Sequence, residues 1–109
     1  MLKQLVYLNL ALNNITRIEG LESCENLAKL DLTVNFIDTL KSLPSLNANE
    51  NLRELYLVGN PCTGISDYRI GVVQAVPMLA ALDGIKIEKS ERILAAQKNH
   101  RGIESLDLL

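Results

Sequence analysis

The sequence predicts an α/β fold: a right-handed solenoid with a parallel concave sheet, about three full repeats plus a half repeat, closed by a helical C-terminal cap. Three observations carry that prediction. One pattern of apolar residues and asparagine recurs after 22 residues and again after a further 25. Within each copy leucines alternate with more polar neighbours, which is the period of a strand. Helix-starting signals gather only after the third copy.

The first copy runs Leu5-Val6-Tyr7-Leu8-Asn9-Leu10-Ala11-Leu12-Asn13-Asn14-Ile15, and the second Leu27-Ala28-Lys29-Leu30-Asp31-Leu32-Thr33-Val34-Asn35-Phe36-Ile37. Matching positions continue as Ile18/Leu40 and Leu21/Leu43, and a third copy supplies Leu52, Leu55, Leu57, Asn60 and Cys62. The pattern L-x-x-L-x-L-x-x-N with a period in the twenties is the leucine-rich repeat. One such strand cannot bury its apolar face alone, whereas stacked copies bury one continuous leucine core. Asn13, Asn35 and Asn60 fall where the chain turns away from each strand. Their amides are therefore expected to hydrogen-bond backbone groups of their own coil and its neighbour. The return segments are short and poor in helix signals, which predicts extended or 3₁₀-like paths. Repeats thus occupy residues 1–62, as 1–21, 22–43 and 44–62.

The chain enters mid-repeat, with Leu2 in the column of Cys24 and Leu46. Terminal coils of a solenoid need a polar cap. The chain is therefore expected either to belong to a longer protein or to self-associate through the uncapped edge of Leu5, Val6 and Leu8. Three residues are inserted before the third copy, and Pro44 with Asn47, Asn49 and Asn51 makes residues 43–51 an outer loop. Residues 63–98 are read as the cap. Ser66 or Asp67 is placed to cap a helix from Tyr68 to Val76 that Pro77 stops, with Tyr68, Val72, Val73 and Val76 largely on one face. Leu79 and Leu82, with Gly84 where a third leucine would sit, read as a closing strand. Ser90 is placed to cap a last helix from Glu91 to about Asn99, with Ile93, Leu94 and Gln97 along one side and Gly102 ending it. The tail, 99–109, is short and amphipathic and is expected either to fold back on the sheet or to belong to a longer chain.

Length makes the 109-residue chain one domain. Hydrophobic residues reach 48% but aromatics only 4%, so leucine, isoleucine and valine fill the core. A formal net charge of −2 lacks the positive field that nucleic-acid or anionic-membrane binding needs. No apolar run reaches membrane-spanning length. Cys24 and Cys62 replace apolar residues in different columns and read as buried free thiols, which fits a reducing cytosol. The acceptor triplet Asn14-Ile15-Thr16 reads as coincidence in that setting. The single histidine, His100, reads as surface decoration. No Cys/His set has zinc-ligand spacing, and no phosphate loop or nucleophile elbow occurs. Glu88 and Glu91 lie with lysine and arginine on a solvated helix. The expectation is a protein without catalytic residues, cofactor or metal.

What is left is surface. Residues between the leucines point out from the concave face in columns: Tyr7/Lys29/Glu54, then Asn9/Asp31/Tyr56, then Ala11/Thr33/Val58. Lys29 and Glu54 bring opposite charges to adjacent strands, and Tyr7 and Tyr56 flank a polar centre. Leu12 and Val34, with Phe36 just beyond, occupy positions that need not be buried. Tyrosine, charge and apolar groups on one open face favour a protein partner over a sugar or nucleic acid. The expected protein-binding residues are Tyr7, Asn9, Leu12, Lys29, Asp31, Thr33, Val34, Glu54, Tyr56 and Val58.

Asn60-Pro61-Cys62, Tyr68-Arg69, Val72-Val73, Pro77, Leu79, Leu82-Asp83-Gly84 and Ser90-Glu91-Arg92 together resemble the leucine-rich-repeat C-terminal cap. That cap is shared by the spliceosomal A-prime protein and the phosphatase-1 regulatory repeats. Residues 8–15, 27–37 and 59–62 resemble more specifically the tilB-type family of dynein axonemal assembly factors, also called leucine-rich repeat protein six, with similarity over roughly 2–98. The resemblance implies a cytoplasmic scaffold, linked to the cilium or flagellum, that helps preassemble dynein arms. Its implied partners are chaperones, other assembly factors or dynein subunits, and it supplies no catalytic residues. Complete members of that family carry earlier repeats, a coiled coil and a chaperone-like β-sandwich domain. Two other readings stay open: a ribonucleoprotein component like the spliceosomal A-prime protein, or an axonemal dynein-associated light chain.

Overall fold

Each copy of the repeat contributes one three-residue strand, and the spacing of the copies sets how the strands align. The computed structural model describes the backbone of residues 2–107 and the side chains of residues 2–98. Strands β1 (Tyr7–Asn9), β2 (Lys29–Asp31) and β3 (Glu54–Tyr56) pair in parallel, with Tyr7 beside Lys29 beside Glu54 and Leu8 beside Leu30 beside Leu55. β4 (Ala81–Leu82) extends the sheet parallel to β3, setting Leu82 beside Leu55. The architecture is the leucine-rich-repeat solenoid that the periodicity predicts.

The strands are short because side chains end them. The Asn9 carboxamide oxygen accepts the Ala11 N–H and the Asp31 carboxylate accepts the Thr33 N–H, both at 2.9 Å. The chain then turns through the left-handed region at Leu12, Val34 and Gly59, with φ of 61°, 54° and 80°. The asparagines hold the bend. Asn35 Nδ2 donates to Leu10 O and Leu32 O while its Oδ1 accepts the Ile15 N–H. Asn60 repeats this one coil on, with Leu32 O, Leu57 O and the Ile37 N–H. Each amide stitches its coil to the one before. Asn13 instead bonds its own turn, at Leu10 O and Ala11 O.

Inside, Leu27, Leu30, Leu52, Leu55, Leu57, Leu79 and Leu82 are fully buried, while Leu5, Leu8, Leu10, Ile15 and Leu21 of the first coil are half-buried. Cys24 and Cys62 are buried free thiols. Burial, and then the nearby Asp83 charge, push the Cys62 thiol above its ordinary pKa. Residues 43–51 depart from the outer loop expected of them. Leu43–Ala48 form a 3₁₀ helix whose Leu43 and Leu46 are buried. The inserted Asn49, also buried, donates its amide to Leu21 O and Cys24 O of the previous coil. Apolar spacing won over loop composition.

The cap holds the larger corrections. Helix α1 (Tyr68–Ala75) forms as expected and buries Val72 and Val73, with Val76 buried just beyond its end. Asp67 stands at its N-cap in the left-handed region without a side-chain cap bond, and its carboxylate pairs with Lys98 instead. After β4 the chain turns back through Asp83 and Gly84, both at positive φ, into the antiparallel strand β5 (Ile85–Lys86). Gly84 is therefore a hairpin residue and not a vacated leucine site. Helix α2 (Lys89–Asp107) begins before Ser90, which lies inside its first turn. The Glu88 N–H is capped by Glu91 Oε1 at 3.0 Å. The helix also runs past Gly102. Among its described side chains Ala95 is buried, with its carbonyl accepting from Gln74, whereas Ile93 and Leu94 are exposed. The surface reading of His100 and the packing of tail side chains lie outside the described residues.

Arg69 ties the cap together. Its guanidinium donates to both Glu91 carboxylate oxygens and to the carbonyls of Leu82, Ile85 and Lys86. The arginine, principally through its hydrogen bond, holds Glu91 below the usual carboxylate range. Burial, reinforced by the Tyr68 hydroxyl's bond to Asp83, pushes the Tyr68 pKa up.

Candidate protein-interaction surface

Two rows of outward side chains cross the sheet. Register places Tyr7, Lys29, Glu54, Ala81 and Lys86 in one row and Asn9, Asp31 and Tyr56 in the next. The expected columns are thus adjacent in space. Thr33 and Val58 lie one step further along the strands, with Leu12 and Val34 at the turn beyond. Tyr7, Leu12, Val34 and Val58 are exposed, and Lys29, Asp31, Thr33, Glu54 and Tyr56 are half-buried.

Lys29 does not pair with its neighbour Glu54. Its ammonium lies 5.0 Å from the Tyr7 ring centre and 5.2 Å from that of Tyr56, a lysine held between two tyrosines on flanking strands. Each such contact contributes about 0.5–1 kcal/mol at a partly exposed site. Among the described residues the ion pairs are Arg17–Glu19, Arg69–Glu91 and Asp67–Lys98, so neither Asp31 nor Glu54 has a cationic partner. Asp31 does commit one oxygen to the Thr33 N–H, and Asn9 likewise commits its oxygen to Ala11. These two serve the turn as well as the wall. Sequence reasoning placed the tyrosines and the lysine on this face but missed that they form one cluster. It also missed the left-handed column of Leu12, Val34 and Gly59; the signal was the glycine in the third copy at the position of the other two.

Among the described residues no group of three or more His, Cys, Asp or Glu side chains is placed to hold a metal. No described helix is long and apolar enough to cross a membrane. Chemically the wall can offer hydrogen bonds, aromatic faces, two carboxylates and apolar groups on a rigid frame.

A leucine-rich repeat model matches residues 1–108. Dynein axonemal assembly factor 11 of Mus musculus is 57% identical over 103 residues, covering 94% of this chain and 22% of that protein. The factor of the same name from Trypanosoma brucei brucei is 54% identical over 96 residues, covering 88% of this chain and 25% of that protein. Protein tilB of Drosophila melanogaster is 55% identical over 97 residues, covering 89% and 25%. The chain therefore spans about a quarter of the length of these relatives. Among solved structures, the Drosophila melanogaster SNF/U2A′ complex contains a chain that superposes with a TM-score of 0.83 at 31% identity, covering 97% of this chain and 63% of that one.

Proposed function

We propose that this chain, which belongs to the leucine-rich repeat family, is a non-catalytic protein-docking module that serves the assembly of axonemal dynein arms. Its likeness, at more than half of aligned residues, to dynein axonemal assembly factors from mouse and trypanosome carries the reading. The physical basis lies in the wall. Strand pairing and the asparagine stitches order the backbone beneath it, and the Tyr7–Lys29–Tyr56 contacts order those three side chains before a partner arrives. A partner docking there then loses little to ordering this surface. The expected setting is the cytoplasm of a cell building cilia or flagella, before arms enter the axoneme. Chaperones, other assembly factors or dynein subunits are the proposed partners.

The test is capture from the cytoplasmic extract of a ciliating cell, with wild-type chain and an Asp31→Arg, Tyr56→Ala variant as baits. Wild type is expected to retain axonemal dynein chains or their assembly factors, and the variant to lose them. Equal capture by both sinks the assignment to this wall. Retention only from nuclear extract, of an RNA-recognition protein, would favour the ribonucleoprotein reading suggested by the SNF/U2A′ neighbour. Capture only from extracted axonemes would favour a light-chain role. Self-association through the half-buried first coil is a separate proposal, read by whether sedimentation depends on concentration.

A further inference from the structure

Two positions break the same local rule. Leu12 and Val34 sit at φ of 61° and 54°, in the column whose third member is Gly59 at 80°. Glycine adopts that conformation freely, whereas a leucine is strained there and a β-branched valine more so. Burial in the core does not account for apolar side chains at these two positions, because Leu12 is 77% and Val34 45% exposed. Phe36, two residues past Val34, and Val58, just before Gly59, are also exposed, at 58% and 48%. Backbone bonds from Leu12 to Thr33 and from Val34 to Val58 hold the three coils in line. These exposed apolar residues form a lip where the strands leave the concave wall.

Its spacing selects a partner shape. Coils repeat at about 4.8 Å, so two steps span about 10 Å. Residues i and i+7 on one face of an α-helix lie about 10.5 Å apart. An extended strand puts same-face side chains about 6.6 Å apart, which fits neither one step nor two. Charge selects further. Asp31 and Glu54 have no cationic partner among the described residues, because the nearby Lys29 is turned onto Tyr7 and Tyr56.

We propose that this lip docks one amphipathic α-helix of a protein partner, its apolar stripe on Leu12, Val34, Phe36 and Val58 and a lysine- or arginine-bearing flank over Asp31 and Glu54. The inference rests on reading the wall as a protein-docking surface and names the class of segment it takes.

The probe is a displayed library of helix-forming peptides, selected on the wild-type chain and counter-selected on a Leu12→Gly, Val34→Gly variant. Glycine relieves the left-handed strain at both sites, so the variant is expected to melt no lower than wild type by circular dichroism. Enriched peptides should carry apolar residues at i, i+3 or i+4 and i+7 beside lysine or arginine, and should lose roughly tenfold or more in affinity on the glycine variant. Their binding should also weaken with salt and on Glu54→Gln. Extended, proline-rich or acid-flanked winners overturn the proposal, as does an empty selection or equal affinity for the variant. Winners that need Tyr56 but neither Leu12 nor Val34 overturn it too, while leaving the wall's docking role standing.

Discussion

Replacing Asn60 by alanine tests whether the coils are truly stitched. Its carboxamide donates to Leu32 O at 2.8 Å and Leu57 O at 3.0 Å and accepts the Ile37 N–H at 3.1 Å. The flanking Leu32, Ile37 and Leu57 are buried to 1% exposure or less. Truncation orphans the Ile37 N–H in a dry interior, at about 1–3 kcal/mol, while Leu32 O keeps Asn35 Nδ2 and Leu57 O keeps the residue-60 backbone N–H. The two lost carbonyl bonds add about 0.5–1.5 kcal/mol each and some returns as water enters the space left behind, so the expected loss is roughly 2–4 kcal/mol. For a domain stable by about 5–15 kcal/mol this is a large fraction. Asn13 supplies the control, because it is exposed and bonds only within its own turn, at Leu10 O and Ala11 O. Water can replace those bonds, and Asn13→Ala should cost about 1 kcal/mol or less. Urea unfolding followed by circular dichroism, with unchanged m values, gives both numbers. A difference under about 1 kcal/mol between the two variants would refute the stitching argument.

Gly59→Ala combines a left-handed φ with a Cβ 2.7 Å from Val34 Cγ2 and should cost about 2–3 kcal/mol, whereas Gly64→Ala meets nothing within 4 Å and should stay within about 0.5 kcal/mol. In a Val34→Gly background the first penalty should shrink to its backbone part, which a double-mutant cycle reads directly. Leu30→Ala should cost about 2–5 kcal/mol and Leu8→Ala roughly half as much, since Leu30 is fully buried and Leu8 is not, again by urea unfolding. Arg69 depresses the Glu91 pKa in the folded state, so the pair stabilises above the usual carboxylate range, and that contribution is lost as pH falls below about 4.3 towards the folded pKa. Glu91→Gln should flatten the acid limb of a stability-against-pH curve. An unchanged limb would count against the Arg69 clamp.

The repeats were legible because a period of 22 maps directly onto a coil, so leucine columns, strand register and asparagine stitches follow from counting. The cap was legible only in part. Asp83-Gly84 between Leu82 and Ile85 is a two-residue hairpin signal, but Leu79 and Leu82 so resemble a repeat that the glycine passed for a missing leucine. Ser90 looked like the better cap by residue type. The backbone instead used Glu88, whose N–H Glu91 can reach while also holding Arg69. Of the wall, sequence gave the columns but not the choice Lys29 makes between Glu54 and two rings, which depends on side-chain paths across strands. The left-handed strain at Leu12 and Val34 has no marker in either residue and emerges only when Gly59 is aligned with them.

The most direct measurement is amide hydrogen exchange of the chain alone and with whichever protein the wild-type bait retains. New protection is expected to concentrate at residues 7–12, 29–36 and 54–58, the wall and its lip, with the return segments little changed. Protection confined to residues 14–26 and 39–51, or to α1 and α2, would place the partner elsewhere and contradict the concave-wall account.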